Sequence, residues 1–307
     1  MSYGPLENQD LAAAARLLSS AFGVEQVDSE RWLHALDNPR AIRVDDEVVA
    51  TFAEYRTEMA FGAWVPVSCV AGVAVALEAR GRGHGRALME GHLREIRAEG
   101  VPLASLYAST QVLYRSVGYE QAGEALQRSI KASRIPSGPR DLELYEVPLH
   151  SDLRPLYEPF ALRHPGMLRR NPELWARALG QRLPEPRRLY MLGDEGYVCV
   201  CGAKEEAVVS DLVTLTPRAL RRAWTLLCDL RSMISTVGWA SHPQDPALLL
   251  FGEQSSRVTR SERWFLRIVH VEQALLRRRY AIDGELHLHL SDPLFPENEG
   301  PWLLRVA

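Results

Sequence analysis

Three arginines and three glycines fall within the seven residues from Arg80 to Arg86. They sit in the run Val73-Ala-Val-Ala-Leu-Glu-Ala-Arg80-Gly-Arg-Gly83-His-Gly85-Arg-Ala-Leu. An apolar strand there feeds a glycine turn, and the turn opens a helix. The first amides of a helix lack internal partners and point along its positive dipole end. Glycines at Gly81, Gly83 and Gly85 let the backbone come close to a ligand. Arg80, Arg82 and Arg86 add cationic donors. That combination suits a phosphate or pyrophosphate. A dinucleotide fingerprint is excluded, because counting from Gly81 the third glycine position holds Arg86 and no acidic residue follows in the apolar stretch 101–108. A P-loop is absent. The remaining pattern is R-x-x-G-x-G, at Arg80, Gly83 and Gly85. On these residues alone it is either a phosphate cradle or an ordinary glycine-rich turn.

The elements that must hold this loop can be read along the chain. Leu11, Ala15, Leu18 and Phe22 form one stripe of a helix over 8–22, capped by Asn8 or Asp10. A short helix is expected over 29–36. Strands are expected over 41–44 and 47–55, around an Asp45-Asp46 turn. Residues 65–77 read as a strand covered on both faces. The helix after the loop buries Met89, Leu93 and Ile96 and stops at Gly100. A buried strand over 101–108 and a short helix over 111–117 follow. The order predicts a mixed α/β layer structure. Residues 134–140 read as a linker. Beyond it the pattern repeats, with helices opened by Ser151, by Asn171-Pro172 and by Thr216-Pro217, and strands over 189–192, 197–201 and 207–215. A helix over 271–279 and a strand over 285–290 close the chain.

Composition narrows the partners. The chain has 307 residues, 36 Lys plus Arg against 39 Asp plus Glu, and a net charge of −3. The charge balance argues against a phosphate-backbone binder, so no nucleic-acid partner is expected. Cys69, Cys199, Cys201 and Cys228 have no zinc spacing and read as reduced thiols of a cytoplasmic protein. No signal peptide is expected at the N-terminus, and the apolar stretch Trp64 to Leu77 is too short to span a bilayer. His287 and His289 alternate near Asp283 and Asp292; they read as outward polar residues, and no metal is expected.

A second motif lies downstream. Ala108-Ser109-Thr110-Gln111-Val112-Leu113-Tyr114-Arg115-Ser116-Val117-Gly118-Tyr119 resembles the Y-x-x-x-G-[FY] signature of the GNAT N-acetyltransferases, and R-x-x-G-x-G resembles their acetyl-coenzyme A pyrophosphate loop. Val-Ala-Val before the loop, Ala-Ser before the tyrosine helix and Gly-Tyr after it resemble more closely the enhanced intracellular survival (Eis) family. Trp264 to Tyr280 resembles that family's entry into a sterol-carrier-like domain.

The resemblance implies an α/β fold of tandem GNAT-like domains, the second degenerate, plus a truncated sterol-carrier-like segment. The boundaries expected are 1–145 for the catalytic domain, 146–262 for the degenerate one and 263–307 for the last. It implies that the backbone of Val73 and Val75 binds the pantetheine and polarises the thioester carbonyl. Arg80, Gly81, Arg82, Gly83, Gly85 and Arg86 would hold the pyrophosphate. Tyr114 would be the general acid, with Ser109 orienting it or the pantetheine. Trp32, His34, Phe52 and Glu54 are candidates for the acceptor pocket, and His84 faces the loop without acting as a base. Thr216-Pro217-Arg218 replaces the loop in the second half, which is therefore not expected to bind coenzyme A. In the Eis family a longer C-terminal domain brings the terminal carboxylate to the active site as a base. Here the sequence ends at Ala307, which fits a shortened relative or a truncated chain; Glu54 or a bridging water would then replace that base, or the base would be missing. An unfinished sheet edge favours a homo-oligomer. The expected activity is acetyl-coenzyme A-dependent N-acetylation of a primary amine (aminoglycoside, polyamine or protein lysine) in a ternary complex. A catalytically silent coenzyme A-binding module is the second reading.

Overall fold

A computed structural model describes residues 1–23, 25–26, 28, 33, 37–202 and 205–307, without the side chain of Asp37. Apart from Leu33, the expected helix over 29–36, including Trp32 and His34, lies outside the described residues. The chain divides into two compact units. Met1–Gly123 and Trp264–Ala307 form the first, and Glu124–Arg263 forms the second. These differ from the boundaries expected from sequence, because a late strand returns to the first unit.

In the first unit, β1 (Ser2–Pro5), β2 (Asp37–Val44), β3 (Glu47–Ala60) and β4 (Trp64–Val75) pair antiparallel in chain order. Asp45 and Asp46 have φ of 50° and 65°, the left-handed pair that a two-residue hairpin turn requires. β5 (Leu103–Tyr107) joins β4 in parallel. α1 (Leu11–Phe22) packs Ala14, Ala15 and Leu18 over Ala53, Tyr55 and Ala74 on one face. On the other face α2 (His84–Ala98) buries Leu88, Met89, Leu93 and Ile96 against Phe52, Val70, Ala104 and Leu106. Each such side chain contributes about 1.5–3 kcal/mol of transfer free energy. α1 is not capped as expected: the Asp10 carboxylate instead accepts from Glu7 N–H at 3.1 Å and pairs with Arg43.

The C-terminal part of this unit completes the sheet. In β12 (Ser256–Ile268), Trp264 to Ile268 pair antiparallel with Tyr107 to Leu103. Arg267 Nη2 donates to Asp292 Oδ1 at 2.5 Å, with both side chains almost fully buried. Asp292 also accepts from Asn298 Nδ2 at 2.8 Å, and Asn298 Oδ1 accepts from Arg97 Nη1 of α2 at 3.2 Å. Asp292 is therefore committed to this network rather than to His287 and His289, which are exposed on β13 (Gly284–Leu290). Gly118 sits at φ 87°, and a Cβ there would fall 2.9 Å from the Arg267 guanidinium carbon. Both facts demand glycine at that position of the Gly-Tyr pair.

The second unit repeats the layering. β6 (Glu120–Lys131), β11 (Thr236–Ser241), β10 (Glu206–Thr214), β9 (Gly196–Cys201), β8 (Arg187–Leu192) and β7 (Leu144–Val147) lie side by side, with only β10 and β11 parallel. α4 (Arg154–Leu162) begins three residues after Ser151, whose hydroxyl donates to Pro148 O rather than capping it. Asn171 and Thr216 do cap their helices, α5 (Pro172–Ala178) and α6 (Pro217–Asp229), by accepting from Leu174 and Ala219 N–H. α6 sets Trp224 edge-on to Trp239 and Phe251 at 5.0 and 4.9 Å. Among the described residues no helix is long and apolar enough to cross a membrane.

Removing Asp292 leaves Arg267 buried and unpaired. Asp292→Ala is expected to cost about 3–5 kcal/mol, read as a lowered urea midpoint of the first unit. A shift worth under about 1 kcal/mol would mean that the pair does not hold the C-terminal part in place.

Candidate active site

β4 leaves its neighbour where the chemistry was expected. Parallel pairing runs only from Val67↔Leu103 to Cys69↔Ser105. Both strands continue, to Val75 and Tyr107, without pairing to each other. Just beyond the fork β4 bulges: Ala71 faces Ala53, but Ala74 faces Thr51. A bulge re-aims a strand. Ala76 N–H donates to Val49 O of β3. By the alternation of an antiparallel ladder, the amides of Val75 and Val73 point away from β3, toward the opening between the strands.

The glycine turn closes one end of that opening. Gly83 caps α2 at φ 84°, and no side chain caps the helix. Its first internal bond is Ala87 N–H to Gly83 O at 2.9 Å. The amides of His84, Gly85 and Arg86 therefore lack helical partners. A Cβ at Gly85 would lie 3.3 Å from Leu113 Cδ2 and 3.4 Å from Val75 Cγ2. The loop, the end of β4 and α3 (Gln111–Arg115) thus converge at Gly85. Arg80 and Arg82 are exposed, and Arg80 Nε reaches Val75 O at 3.4 Å. Arg86 turns along the helix to Glu90, with Nε at 2.7 Å from Oε1. His84 Nδ1 is buried and has no hydrogen-bond partner among the described residues.

Tyr114, on α3, is 4 % exposed and stands edge-on to Tyr119 at 6.0 Å. Burial pushes its hydroxyl up to about 12. Ser109 is exposed in the bend before α3, and no hydrogen bond joins it to Tyr114. The other expected residues lie elsewhere. Phe52 is fully buried in the α2 core, its ring 4.7 Å from that of His92. Glu54 is 1 % exposed. Its carboxylate accepts from Arg56 Nε at 2.6 Å, from Asn38 Nδ2 at 3.3 Å and from Ser68 Oγ. Burial raises its pKa, and those donors offset the rise in part.

Ser68 also contacts His92 Nε2 at 3.0 Å. With Ser68 donating to Glu54, the ring N–H donates to Ser68. This buried chain of β3, β4 and α2 residues was not anticipated. The signal for it was a histidine on the apolar stripe of α2 and a serine inside an apolar strand. Tyr119, which closes the tyrosine-helix signature, buries its hydroxyl without a partner among the described residues.

The second unit differs at the matching turn. Thr216 Oγ1 accepts from Ala219 N–H at 3.0 Å, and the Glu195 carboxylate accepts from Thr216 and from Arg218 Nη1 at 2.9 Å. An amide is already engaged there and a negative charge stands beside it, so that helix start is unsuited to an anion.

His92 gives a pH signature. Burial and the Arg56 charge hold it down to about 3. Its folded value lies below the unfolded one of about 6.5, so its stabilisation is lost as pH falls from 6.5 toward 3. Between pH 7.5 and pH 5 wild type is expected to lose about 2 kcal/mol more than His92→Gln, followed by urea unfolding. Equal losses would show that the imidazole is not held neutral.

Comparisons with known proteins agree with this architecture. Residues 2–122 match a family model described as an acetyltransferase (GNAT) domain, and residues 166–268 match a second model of the same description. An uncharacterized N-acetyltransferase of Streptomyces avermitilis is 30 % identical over 94 % of this chain and 78 % of its own length. N-acetyltransferase Eis of Mycobacterium tuberculosis is 28 % identical over 87 % of this chain and 73 % of its own. The crystal structure of a GCN5-related N-acetyltransferase from Anabaena variabilis superposes with a TM-score of 0.93 at 31 % identity, covering 100 % of this chain and 83 % of that one. The chain belongs to the GNAT family of N-acetyltransferases and, with its two such domains, is Eis-like.

Proposed function

We propose that the first unit transfers an acetyl group from acetyl-coenzyme A to a primary amine, with both substrates bound together. The observation that carries this reading is the fork between β4 and β5, which opens onto an uncapped helix start and meets α3 at Gly85. An extended thioester substrate fits this opening by its chemistry. The amides of Val73 and Val75 supply donors for its pantetheine arm and for the thioester carbonyl oxygen. Gly81 and Gly83, with the amides of His84, Gly85 and Arg86, offer a seat for a pyrophosphate, and the exposed Arg80 and Arg82 stand at its edge without an acidic partner among the described residues. The buried, unpartnered His84 Nδ1 is a group that a substrate or its water would satisfy. Arg86 is the weakest member, since Glu90 competes for it.

The reaction is a direct displacement. The amine nitrogen forms a bond to the acetyl carbon, the carbon–sulfur bond breaks, and a base or solvent takes the amine proton. Tyr114 gives its proton to the departing thiolate. Burial favours that role by keeping the phenol protonated well past neutral pH. Ser109, exposed beside α3, would then orient the pantetheine rather than the tyrosine. The acceptor class carried over from the Eis resemblance is an aminoglycoside, a polyamine or a protein lysine. On this reading the second unit has no donor site of its own.

The test follows thiol release from acetyl-coenzyme A with a panel of those amines. Tyr114→Phe is expected to lower kcat about 100-fold or more with the donor KM within about threefold. Full activity in that variant would remove the general acid. With Tyr114 at about 12, kcat should also stay level through pH 10, where an unshifted tyrosine would be half ionised. A loss centred near pH 10 would contradict the assignment.

A further inference from the structure

Acetyl transfer leaves Cys199 and Cys201 without a role. Both lie on β9 of the second unit, two residues apart. Val198 and Val200 belong to the core under α6, so the two thiols share the opposite face, beside the end of α5. A Cβ on Gly180 would fall 2.3 Å from Cys201 Sγ and 3.4 Å from Ser210 Oγ. Cys199 Sγ lies 3.8 Å from Leu179 O. The two thiols are also within hydrogen-bonding reach of each other. Donation from Cys199 S–H holds the Cys201 thiol below the ordinary thiol range; burial opposes this, and Ser210 and the Arg187 charge assist. The same bond keeps Cys199 protonated.

The surroundings let this pair close. Alternate residues of a strand have Cα atoms about 6.6 Å apart, at the upper end of what a disulfide spans. Closing that span bends the strand, and the neighbouring ladder is already irregular there. Val209 faces Val200 and Asp211 faces Cys199, leaving Ser210 as an extra residue on β10. Cys201 is the last residue of β9. Gly202 N–H donates to Pro184 O and Pro186 O, which ties the loop 181–186 to the strand's end. That loop is exposed apart from Leu183. Cys69 is the least buried of the four cysteines, yet desolvation pushes its thiol up to about 12. Thiolate character and exposure therefore point to different cysteines.

We propose that Cys199 and Cys201 form a peroxide-sensitive dithiol, a modification site in the second unit separate from acetyl transfer. Hydrogen peroxide enters when the loop 181–186 opens locally. The Cys201 thiolate attacks one peroxide oxygen, the O–O bond breaks, hydroxide leaves, and Cys201 becomes a sulfenic acid. The Cys199 sulfur then displaces that hydroxyl, its proton leaves with the hydroxyl as water, and the Cys199–Cys201 disulfide forms. The dithiol gives up two electrons and the peroxide takes them. A disulfide that bends its strand is readily reduced, so a thiol reductant restores the pair.

The reduced full chain is treated with hydrogen peroxide, alkylated in denaturant and digested with trypsin without reductant. Residues 189–204 form one tryptic peptide that holds both thiols. Its mass is expected to fall by two hydrogens and to be restored by dithiothreitol. This should proceed at least about tenfold faster than oxidation of Cys69 or Cys228. In Cys199→Ser, dimedone should capture a sulfenic acid on Cys201; in Cys201→Ser, no adduct should form on Cys199. The wild-type mass change needs no variant, so a variant that fails to fold leaves the test standing. Both thiols still alkylated after peroxide would overturn the proposal. Oxidation of Cys69 first, or a disulfide from either thiol to another chain, would do the same.

Discussion

Where two parallel strands separate inside a sheet, each must still satisfy its backbone amides. That constraint governs the first unit. β4 keeps β3 on one side along its whole length, so it stays ordered while its other edge is released after Cys69. The bulge after Ala71 turns that released edge, and α2 and α3 pack around its end through Val75, Gly85 and Leu113. An unpaired edge inside a protein is costly unless something binds it. A substrate with its own amide groups is a natural partner, and the arrangement is pre-formed by strands paired elsewhere.

Two buried polar networks flank the fork. Glu54, Ser68 and His92 link β3, β4 and α2 directly behind the last β4–β5 pair. The helix that presents the glycine loop is thereby fixed to the strand that presents Val73 and Val75. On the far side of β5, Arg267, Asp292 and Asn298 fasten the returning segment to the sheet and, through Arg97, to the same helix. Neither network offers much net stability over apolar residues of similar shape, since desolvation opposes the attraction. What such networks supply is a single arrangement, because any other would leave a charge unpaired.

The sequence made the loop and the tyrosine helix legible because their residues are local. R-x-x-G-x-G and Gly118-Tyr119 each depend on backbone geometry within a few positions. The Asn171 and Thr216 caps were legible for the same reason. Long-range choices were not. Gly118 needs Arg267, and β1 pairs Ser2–Pro5 with Arg40–Arg43, from a segment whose glycine and proline argue against a strand. Asp10 is a cap residue by type, yet Arg43 claims its carboxylate. Glu54 was read as lining a pocket, and the structure turns it inward because strand alternation puts it on the α2 face with Phe52. His92 is buried among the apolar residues of α2, and only the opposing Ser68 reveals why a histidine is tolerated there.

The contrast between the two units then reduces to how one helix begins. Gly83 has no side chain, adopts φ 84° and leaves the next three amides open. Thr216 occupies the matching place, adopts extended backbone and spends its hydroxyl on Ala219 N–H. Glu195 then adds a negative charge where an anion would have to sit. The layers, the parallel pair, the bulge and the apolar helix stripe are common to both, so none of them decides whether a phosphate can bind. Fold and helix start are separable here because the fold is written in buried apolar positions, whereas an open helix start is written in the absence of a side chain.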